Sequence, residues 1–229
     1  MVQTGFVILS IIMAIATIMM IRQVNSDLES EVKKSSQAYM IWLFVWVVYI
    51  TGIDRSGVIA DTSLPPKMPL FIVFPAFAFI FYYLFRTPMK LVTLRIPSHV
   101  PIYMQSFRIA VEILIYGAFL ENVLPEVVTF DGYNQDIFVG ISALGMGWLV
   151  HRRKLSRNAI LSWNIISLMI LSVTVGTFIY SFFFSGITPS PDRMRFVSMP
   201  YLLLPAFLMP TAVFLHIISI RQALNHSTE

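Results

Sequence analysis

The stretch 100-VPIYMQSFRIAVEILIYGAFLENVL-124 has the composition of a membrane-spanning helix but carries charge in its middle. Its apolar residues extend over about the 20 positions that a helix needs to cross hydrocarbon. Arg108 and Glu112 nevertheless stand four residues apart inside it. A charged side chain at the bilayer centre costs about 2.5–3.5 kcal/mol on insertion scales, so both must face a bundle interior or a wet cavity. The stretch therefore predicts a helical bundle with a polar centre.

The composition of the whole chain agrees with a membrane location. Of its 229 residues, 57% are hydrophobic and 12% are charged, with a mean hydropathy of +0.75. Soluble domains carry about 25% charged residues, so half of the usual charge is missing. Cysteine is absent, which excludes disulfides and thiolate metal sites. We predict an all-α integral membrane protein with a single transmembrane domain over residues 1–229.

Apolar runs separated by short polar loops predict seven transmembrane helices. The predicted spans are Gly5–Ile21, Ala38–Ile53, Met68–Phe85, Val100–Leu124, Ile137–Val150, Ala159–Phe184 and Val197–Ile220. The fifth span is short for a crossing, and its bounds are the least defined. A positively charged segment before the first run and a cleavage site after it are both missing, which favours a retained first span over a signal peptide.

The basic residues predict the direction of this bundle, because Lys and Arg are enriched in cytoplasmic loops. One side of the seven-span arrangement holds Arg22, Lys33, Lys34, Arg86, Lys90, Arg95, Arg152, Arg153, Lys154, Arg157 and Arg221. The other side holds Arg55, Lys67, Arg193 and Arg195. The N-terminus is therefore expected outside the cell membrane and the C-terminus in the cytoplasm. Since the formal charge of +4 is spread over these short loops, no nucleic-acid partner is predicted.

The predicted outer loops are acidic. They contain Asp54, Asp61, Glu121, Glu126, Asp131, Asp136 and Asp192. One interpretation is that only Lys and Arg are excluded from outer loops, whereas carboxylates are not. The other interpretation is a weak attraction for cations at an outer mouth.

Helical phase places the polar residues of the fourth span on one stripe. Gln105, Arg108, Glu112 and Tyr116 fall within about 80° of arc at 100° per residue. Counted from Val100, Arg108 lies about 12 Å and Glu112 about 18 Å into the membrane. Two interpretations of Arg108 and Glu112 are open: a self-neutralising pair that fixes the helix, or part of a site for a ligand, an ion or a proton.

Polar residues of two other spans reach a similar depth. Asn164 lies near the cytoplasmic end of the sixth span and His216 near that of the seventh. Together with Gln105 and Arg108 they are candidates to line one cavity in the inner half of the bundle. His99 and His151 lie at the same boundary, but the histidines lack the spacing typical of zinc or haem ligands. No metal and no cofactor are predicted.

Proline and small residues predict irregular and tightly packed helices. Pro200, Pro205 and Pro210 recur in the seventh span, where each removes a helix hydrogen bond, so a kinked or partly unwound helix is expected. A membrane tolerates such a break where protein or a cavity satisfies the backbone, and transporters use broken helices near their binding sites. In the fifth span, Ala143 and Gly147 permit close helix packing, within the bundle or in a dimer.

Local patterns refine the cytoplasmic loops. The segment 26-SDLE-29 is a capping-box pattern, and Glu29 with Lys33 has the spacing of a stabilising pair, so the second helix is expected to begin near Asp27. The pair 87-TP-88 predicts a helix start and a short surface helix to Arg95.

These observations favour a bundle that binds or translocates a small solute or ion. The candidate site residues are Arg108, Glu112, Gln105, Tyr116, Asn164 and His216.

One alternative function is that of a membrane sensor or accessory subunit that acts through a partner protein. Another is an intramembrane enzyme for a lipid-soluble substrate, with Glu112 or His216 as the acid–base group. A retinal protein is not predicted, because all the lysines lie in loops or at boundaries. Besides the lipid bilayer, the expected partners are the ligand and a second copy or another membrane protein.

Overall fold

The computed structural model describes residues 1–24, 29–61, 63–185 and 190–225, and every regular element in these ranges is helical. The α-helices are α1 (Val2–Arg22), α2 (Glu29–Ser56), α3 (Phe74–Phe85), α4 (Thr87–Arg95), α5 (His99–Met104), α6 (Phe107–Leu120), α7 (Asp136–His151), α8 (Arg157–Ile179), α9 (Pro191–Met194) and α10 (Met209–Asn225). Three π-helical segments are Pro69–Val73, Tyr180–Phe184 and Leu204–Leu208. Short 3₁₀ turns cover Val58–Ala60, Glu126–Val128 and Arg195–Val197. The all-α prediction is confirmed for these residues.

Several of these helices are suited to a membrane. Five helices of the described chain are long and apolar enough to cross one: Val2–Arg22, Glu29–Ser56, His99–Leu120, Arg157–Phe184 and Leu204–Asn225. Up to six result if Pro69–Phe85 and Pro88–Arg95, which are bent by 77°, count as one broken span. Asp136–His151 is apolar but shorter. The chain thus has the helices of a membrane protein, whereas seven crossings and their direction stay predictions.

The exterior of the bundle is apolar. On α2, 66% of Ile41, 72% of Phe44 and 57% of Val48 is exposed, and α1 exposes Ile8 and Ile12 in the same way. Contiguous exposed apolar surface of this extent is typical of a face that contacts lipid or another protein.

Helix α10 forms the centre of the bundle. It packs against α8, α5, α4 and α3. In the most apolar part of Leu204–Asn225, which contains α10, 78% of the residues are buried, against 22% in the most apolar part of α2. Side chains of α10 therefore face other helices on nearly every side, which explains how His216 can be buried within the protein.

The polypeptide before α10 is irregular, as its prolines predict. Residues 199–202 form turns, and the π-helical segment Leu204–Leu208 leads directly into α10. Pro210 has no N–H to donate to the carbonyl of Ala206. The indole Nε1 of Trp46 donates to that carbonyl instead, at 2.9 Å. A side chain of α2 thus replaces the missing backbone hydrogen bond.

At a second proline, too, a side chain donates to the carbonyl that lacks its backbone donor. Pro75 cannot donate to the carbonyl of Phe71 in the π-helical segment Pro69–Val73. The hydroxyl of Tyr49 donates to this carbonyl at 2.8 Å. Trp46 and Tyr49 stack on each other, with ring centroids 5.2 Å apart, so two neighbouring aromatic residues of α2 serve both breaks.

The fourth predicted span differs from the structure in two respects. It is divided into α5 and α6 at Gln105 and Ser106, where backbone hydrogen bonds run to the third preceding residue instead of the fourth. It ends at Leu120, four residues before the predicted bound, because the chain turns there and Asn122 adopts a positive φ of 59°. Arg108 consequently lies in the first turn of its own helix.

The predicted loop patterns have mixed outcomes. The capping box falls largely on residues 25–28, outside the described ranges, and α2 is described from Glu29. Its ion pair joins Lys34 to Glu31 at 3.3 Å, so the predicted pairing of Glu29 with Lys33 is not the one observed. Helix α4 spans Thr87–Arg95, one residue longer at its start than predicted.

Small residues of α7 permit close packing inside the chain. Gly140, Ala143 and Gly147 are buried on the face toward α5 and α6. A Cβ built on Gly140 would lie 2.8 Å from the backbone nitrogen of Ile109, which is too close for any side chain. The backbones of α6 and α7 therefore touch one turn away from Asp136.

Candidate functional site

Arg108 forms a buried ion pair with Asp136, the first residue of α7. Its Nε donates to Asp136 Oδ2 at 2.7 Å, and its Nη2 donates to Oδ1. The two residues are only 1% and 4% exposed. The planar guanidinium and the carboxylate meet through two parallel hydrogen bonds, the strong geometry for such pairs.

This pairing corrects two predictions. Among the ion pairs of the described residues, none joins Arg108 to Glu112. Two side chains on one face of a helix point in the same direction, and Asp136 approaches Arg108 head-on from a neighbouring helix. Asp136 was also assigned to an outer loop, but it is buried inside the bundle.

His216 of α10 contacts the other edge of Arg108. Its Nε2 lies 3.1 Å from Arg108 Nη1, and its Nδ1 lies 2.8 Å from Asn164 Oδ1. Since arginine can only donate, Nε2 must accept. The proton of the ring is therefore on Nδ1 and is donated to Asn164. This arrangement fits a neutral imidazole, because a second proton on Nε2 would point at the guanidinium.

Asn164 extends this network to the end of the bundle where α8 begins. Its Nδ2 donates to the carbonyl of Ile160 at 2.8 Å and to Ser219 Oγ at 2.9 Å. The structure thus brings together three predicted site residues, Arg108, Asn164 and His216, from three helices.

Asn134 holds Glu112 in place and was not predicted. Its Nδ2 donates to Glu112 Oε2 at 2.7 Å and to the carbonyl of Val128 at 3.1 Å. Its Oδ1 accepts from the backbone N–H of Asp136 at 3.0 Å and from Thr174 Oγ1 at 2.9 Å. All four hydrogen bonds of the amide are formed, so its orientation is fixed.

Glu112 keeps one oxygen without a protein partner. The residue is 1% exposed, and Oε1 makes no hydrogen bond with any described residue. A buried carboxyl oxygen in that state is costly unless another group meets it. The unpartnered oxygen is the feature of this site that most directly indicates a ligand.

Glu112 lines an apolar cavity of about 70 Å³. Its wall is formed by Met68, Pro69, Val73, Phe107, Arg108, Val111, Glu112, Ile115, Asp136, Leu171, Thr174, Val175, Phe178, Ile179, Phe196, Leu204, Pro205, Leu208, Met209 and Ala212. Since about 10–15 Å³ of such volume admits one water molecule, the cavity has room for a small solute. The wall is apolar apart from the polar residues at one end, so it suits a solute with an apolar body and one polar group.

Both proline breaks contribute to this wall. Pro69 and Val73 belong to one π-helical segment, and Leu204 and Pro205 belong to another. The cavity therefore lies between two irregular helices and the charged side of α6.

Of the six predicted site residues, only Arg108 and Glu112 are part of the cavity wall; the other four lie outside it, namely Gln105, Tyr116, Asn164 and His216. Gln105 is 1% exposed and its Nε2 donates to the carbonyl of Ala212 at 2.9 Å, which fixes the α5–α10 contact. The ring of Tyr116 is half-buried and stacks on Phe130, with centroids 4.8 Å apart. Gln105 thus has a packing role at this position, and Tyr116 belongs to a separate aromatic contact.

The histidines do not converge. His99 and His151 are neighbours, with ring centroids 4.5 Å apart, whereas His216 belongs to the network around Arg108. Within the described ranges, no three His, Asp or Glu side chains are grouped in a way that could hold a metal ion.

Asp136 and Asn134 were missed because they lie just before a hydrophobic run, where polar residues usually belong to a solvated loop. A usable signal was an arginine inside one predicted span together with an acidic residue directly before the next span.

Comparisons with protein families, with curated proteins and with solved structures gave no match.

Proposed function

We propose that this membrane protein binds a small solute or ion in the cavity beside Glu112, with a cationic or hydrogen-bond-donating group of the ligand on Oε1. The observation that carries the proposal is the buried oxygen of Glu112 that has no partner among the described residues. A ligand donor at this position would supply the hydrogen bond that the protein leaves unmade.

The charges around the cavity favour a cation or a donor over an anion. Arg108 is neutralised by Asp136 through two hydrogen bonds, and the hydrogen bonding of His216 corresponds to a neutral ring. Glu112 is then the group whose charge is not balanced by a protein partner. A positively charged ligand would balance it, whereas a carboxylate ligand would add repulsion in a medium of low dielectric constant.

The irregular helices support translocation as an extension of binding. Transporters place substrates at helices that are broken within the membrane. The wall of this cavity includes two π-helical segments, each associated with prolines. Under the predicted orientation, with the N-terminus outside the cell membrane and the C-terminus in the cytoplasm, the charged end of the cavity lies near the membrane midplane.

The alternative of an intramembrane enzyme receives less support from these residues. Both ring nitrogens of His216 are engaged, by Arg108 and by Asn164, which leaves no free base there. A sensor or accessory subunit would use the same ligand site and differs by needing a partner protein.

Native mass spectrometry after gentle extraction tests the binding proposal. The wild-type chain, Glu112→Gln and the control Glu126→Gln are compared, since Glu126 is exposed and undergoes the same chemical change. We expect a small bound molecule with a basic nitrogen or a hydroxyl in the wild type and in Glu126→Gln, and its loss in Glu112→Gln. Retention of the same molecule by Glu112→Gln overturns the assignment of the site.

A further inference from the structure

A second cavity lies at the end of the bundle far from Asp136. It is formed where α5 and α8 begin and α7 and α10 end, about 22 Å along α7 from Asp136. We call it the basic pocket; its volume is about 640 Å³. Among the residues of its wall are His99, His151, Arg153, Arg157 and Gln222.

The basic pocket carries uncompensated positive charge. Arg153 and Arg157 line it, and its wall contains no acidic residue. Neither arginine takes part in an ion pair with a described residue. His99 and His151 add two imidazole rings, 4.5 Å apart, on the same wall. Guanidinium groups that lack a carboxylate partner are the groups best suited to hold a phosphate through paired hydrogen bonds.

Arg153 has a backbone conformation that is unusual for a residue other than glycine. It follows α7 with a positive φ of 53°, a conformation in which glycine is the common residue after a helix. Its N–H donates to the carbonyl of Val150 at 2.9 Å, which closes the end of the helix. An arginine here places a long cationic side chain at the pocket, where a glycine would only end the helix.

Gln222 provides an independent indication of a ligand. It is 2% exposed, and its Nε2 donates to the carbonyls of Thr93 and Ile96 at 2.9 and 2.6 Å. These two bonds fix the amide, and its Oε1 is left without a partner among the described residues. Gln222 itself is part of the wall of the pocket. An unpartnered acceptor on a residue of this wall indicates a ligand with a hydrogen-bond donor, and the two arginines of the same wall indicate an anion. A phosphate that carries or adjoins a hydroxyl group meets both requirements.

We propose that the basic pocket binds a phosphate group that carries or adjoins a hydroxyl. Arg153 and Arg157 hold the phosphate oxygens, and Gln222 Oε1 accepts from the hydroxyl. Two sources share this chemistry, a hydroxylated anionic lipid headgroup and a free hydrogen phosphate. The site uses none of the residues around Glu112, so it stands whether or not the solute site does.

The test uses the full chain and compares wild type, Arg157→Gln and Arg153→Gln with the control Arg152→Gln. Arg152 lies next to these residues but over the ring of Trp148, 5.9 Å from its centroid, and outside the pocket wall. The first arm titrates inorganic phosphate against sodium chloride and sodium sulfate at equal ionic strength in a neutral detergent, and it follows the midpoint of thermal unfolding. The second arm extracts the protein from phosphatidylcholine vesicles with and without phosphatidylglycerol and measures retained lipid by native mass spectrometry.

We expect binding in one of the two arms, weakened about tenfold or more in Arg157→Gln and in Arg153→Gln, since hydrogen bonds to charged groups contribute at this level. Arg152→Gln keeps the wild-type affinity. Preference for phosphate over sulfate in the first arm assigns the free anion, and retention of phosphatidylglycerol in the second assigns the lipid. The proposal is overturned if both arms match the sodium chloride and phosphatidylcholine baselines, or if Arg152→Gln weakens binding as much as Arg157→Gln does.

Discussion

Arg108 of α6 is neutralised by Asp136, which lies 28 positions later in the chain, and not by Glu112 four positions away on its own helix. The consequence is that Glu112 is left as a separate carboxyl group beside a cavity. The stability of the bundle and its candidate binding site therefore depend on different acidic residues, which variants can separate.

Removal of the Asp136 carboxylate is expected to destabilise the bundle strongly. Asp136→Asn leaves a buried guanidinium without its counter-charge, which costs about 3–5 kcal/mol in comparable pairs. Asp131→Asn is the control, because Asp131 is exposed and should change the free energy of unfolding by less than about 0.5 kcal/mol. Reversible unfolding in mixed micelles measures both. Equal effects of the two variants would contradict a structural role for the Arg108–Asp136 pair.

Replacement of both partners is expected to cost less than either single replacement. Arg108→Met combined with Asp136→Leu removes both buried charges, and apolar side chains of similar size fill their space. The double variant should therefore unfold at a higher denaturant concentration than Asp136→Asn. If its midpoint falls below that of Asp136→Asn, the pair is not the dominant interaction of these residues.

Gly140→Ala is expected to separate α6 from α7. The added Cβ would lie 2.8 Å from the Ile109 nitrogen, so the helices must shift, at a cost of about 1–3 kcal/mol. Gly145→Ala is a matched control on the same helix, since nothing lies within 4 Å of its Cβ position. Helix propensity alone predicts that Gly145→Ala is neutral or stabilising by up to about 1 kcal/mol. Destabilisation by Gly145→Ala to the same extent would contradict the close approach at Gly140.

Trp46→Phe is expected to destabilise the protein at the proline break before α10. The change deletes the indole N–H and leaves the Ala206 carbonyl without that donor, at a cost of about 1–3 kcal/mol. Trp42→Phe makes the same deletion on the same helix, but the indole of Trp42 has no hydrogen bond in the described structure. The Trp42→Phe protein should therefore lose less stability than the Trp46→Phe protein. The two variants are compared by thermal unfolding, and a larger loss for Trp42→Phe would argue against the capping role of Trp46.

The tautomer of His216 can be measured directly. Nitrogen chemical shifts of ring-labelled histidine, assigned with His216→Gln, should show the proton on Nδ1 and an unprotonated Nε2, because Arg108 can only donate to Nε2. A proton on Nε2 would mean that Arg108 and His216 are not hydrogen-bonded as described.

Much of the helical organisation follows from the sequence, because the physics involved is local. Apolar runs indicate helices, and the phase of Arg108 and Glu112 places both side chains on one buried face. Proline fixes φ and removes a donor, so the irregular backbone before Pro205 and Pro210 was predictable. Arg108, Asn164 and His216, for which the sequence predicts similar depths in the membrane, are hydrogen-bonded neighbours in the structure.

The partners of these residues were not predictable in the same way. Whether α7 lies beside α6 depends on packing across the bundle, and Gly140 is the residue that permits it. Asn134 and Asp136 lie at a helix boundary, where composition does not distinguish a solvated loop from a buried corner. The donors at the proline breaks, Trp46 and Tyr49, belong to another helix, 160 and 22 positions away in sequence from the carbonyls of Ala206 and Phe71.

The most direct test of the central claim is binding of three small probes, n-butylammonium, butan-1-ol and butanoate, to the detergent-solubilised chain, measured by calorimetry. We predict that butylammonium binds tightest and butanoate weakest, that Glu112→Gln removes the advantage of the cation, and that Glu126→Gln leaves the order unchanged. Tighter binding of butanoate than of butylammonium, or an unchanged preference in Glu112→Gln, would contradict the assignment of Glu112 as the ligand-binding carboxylate.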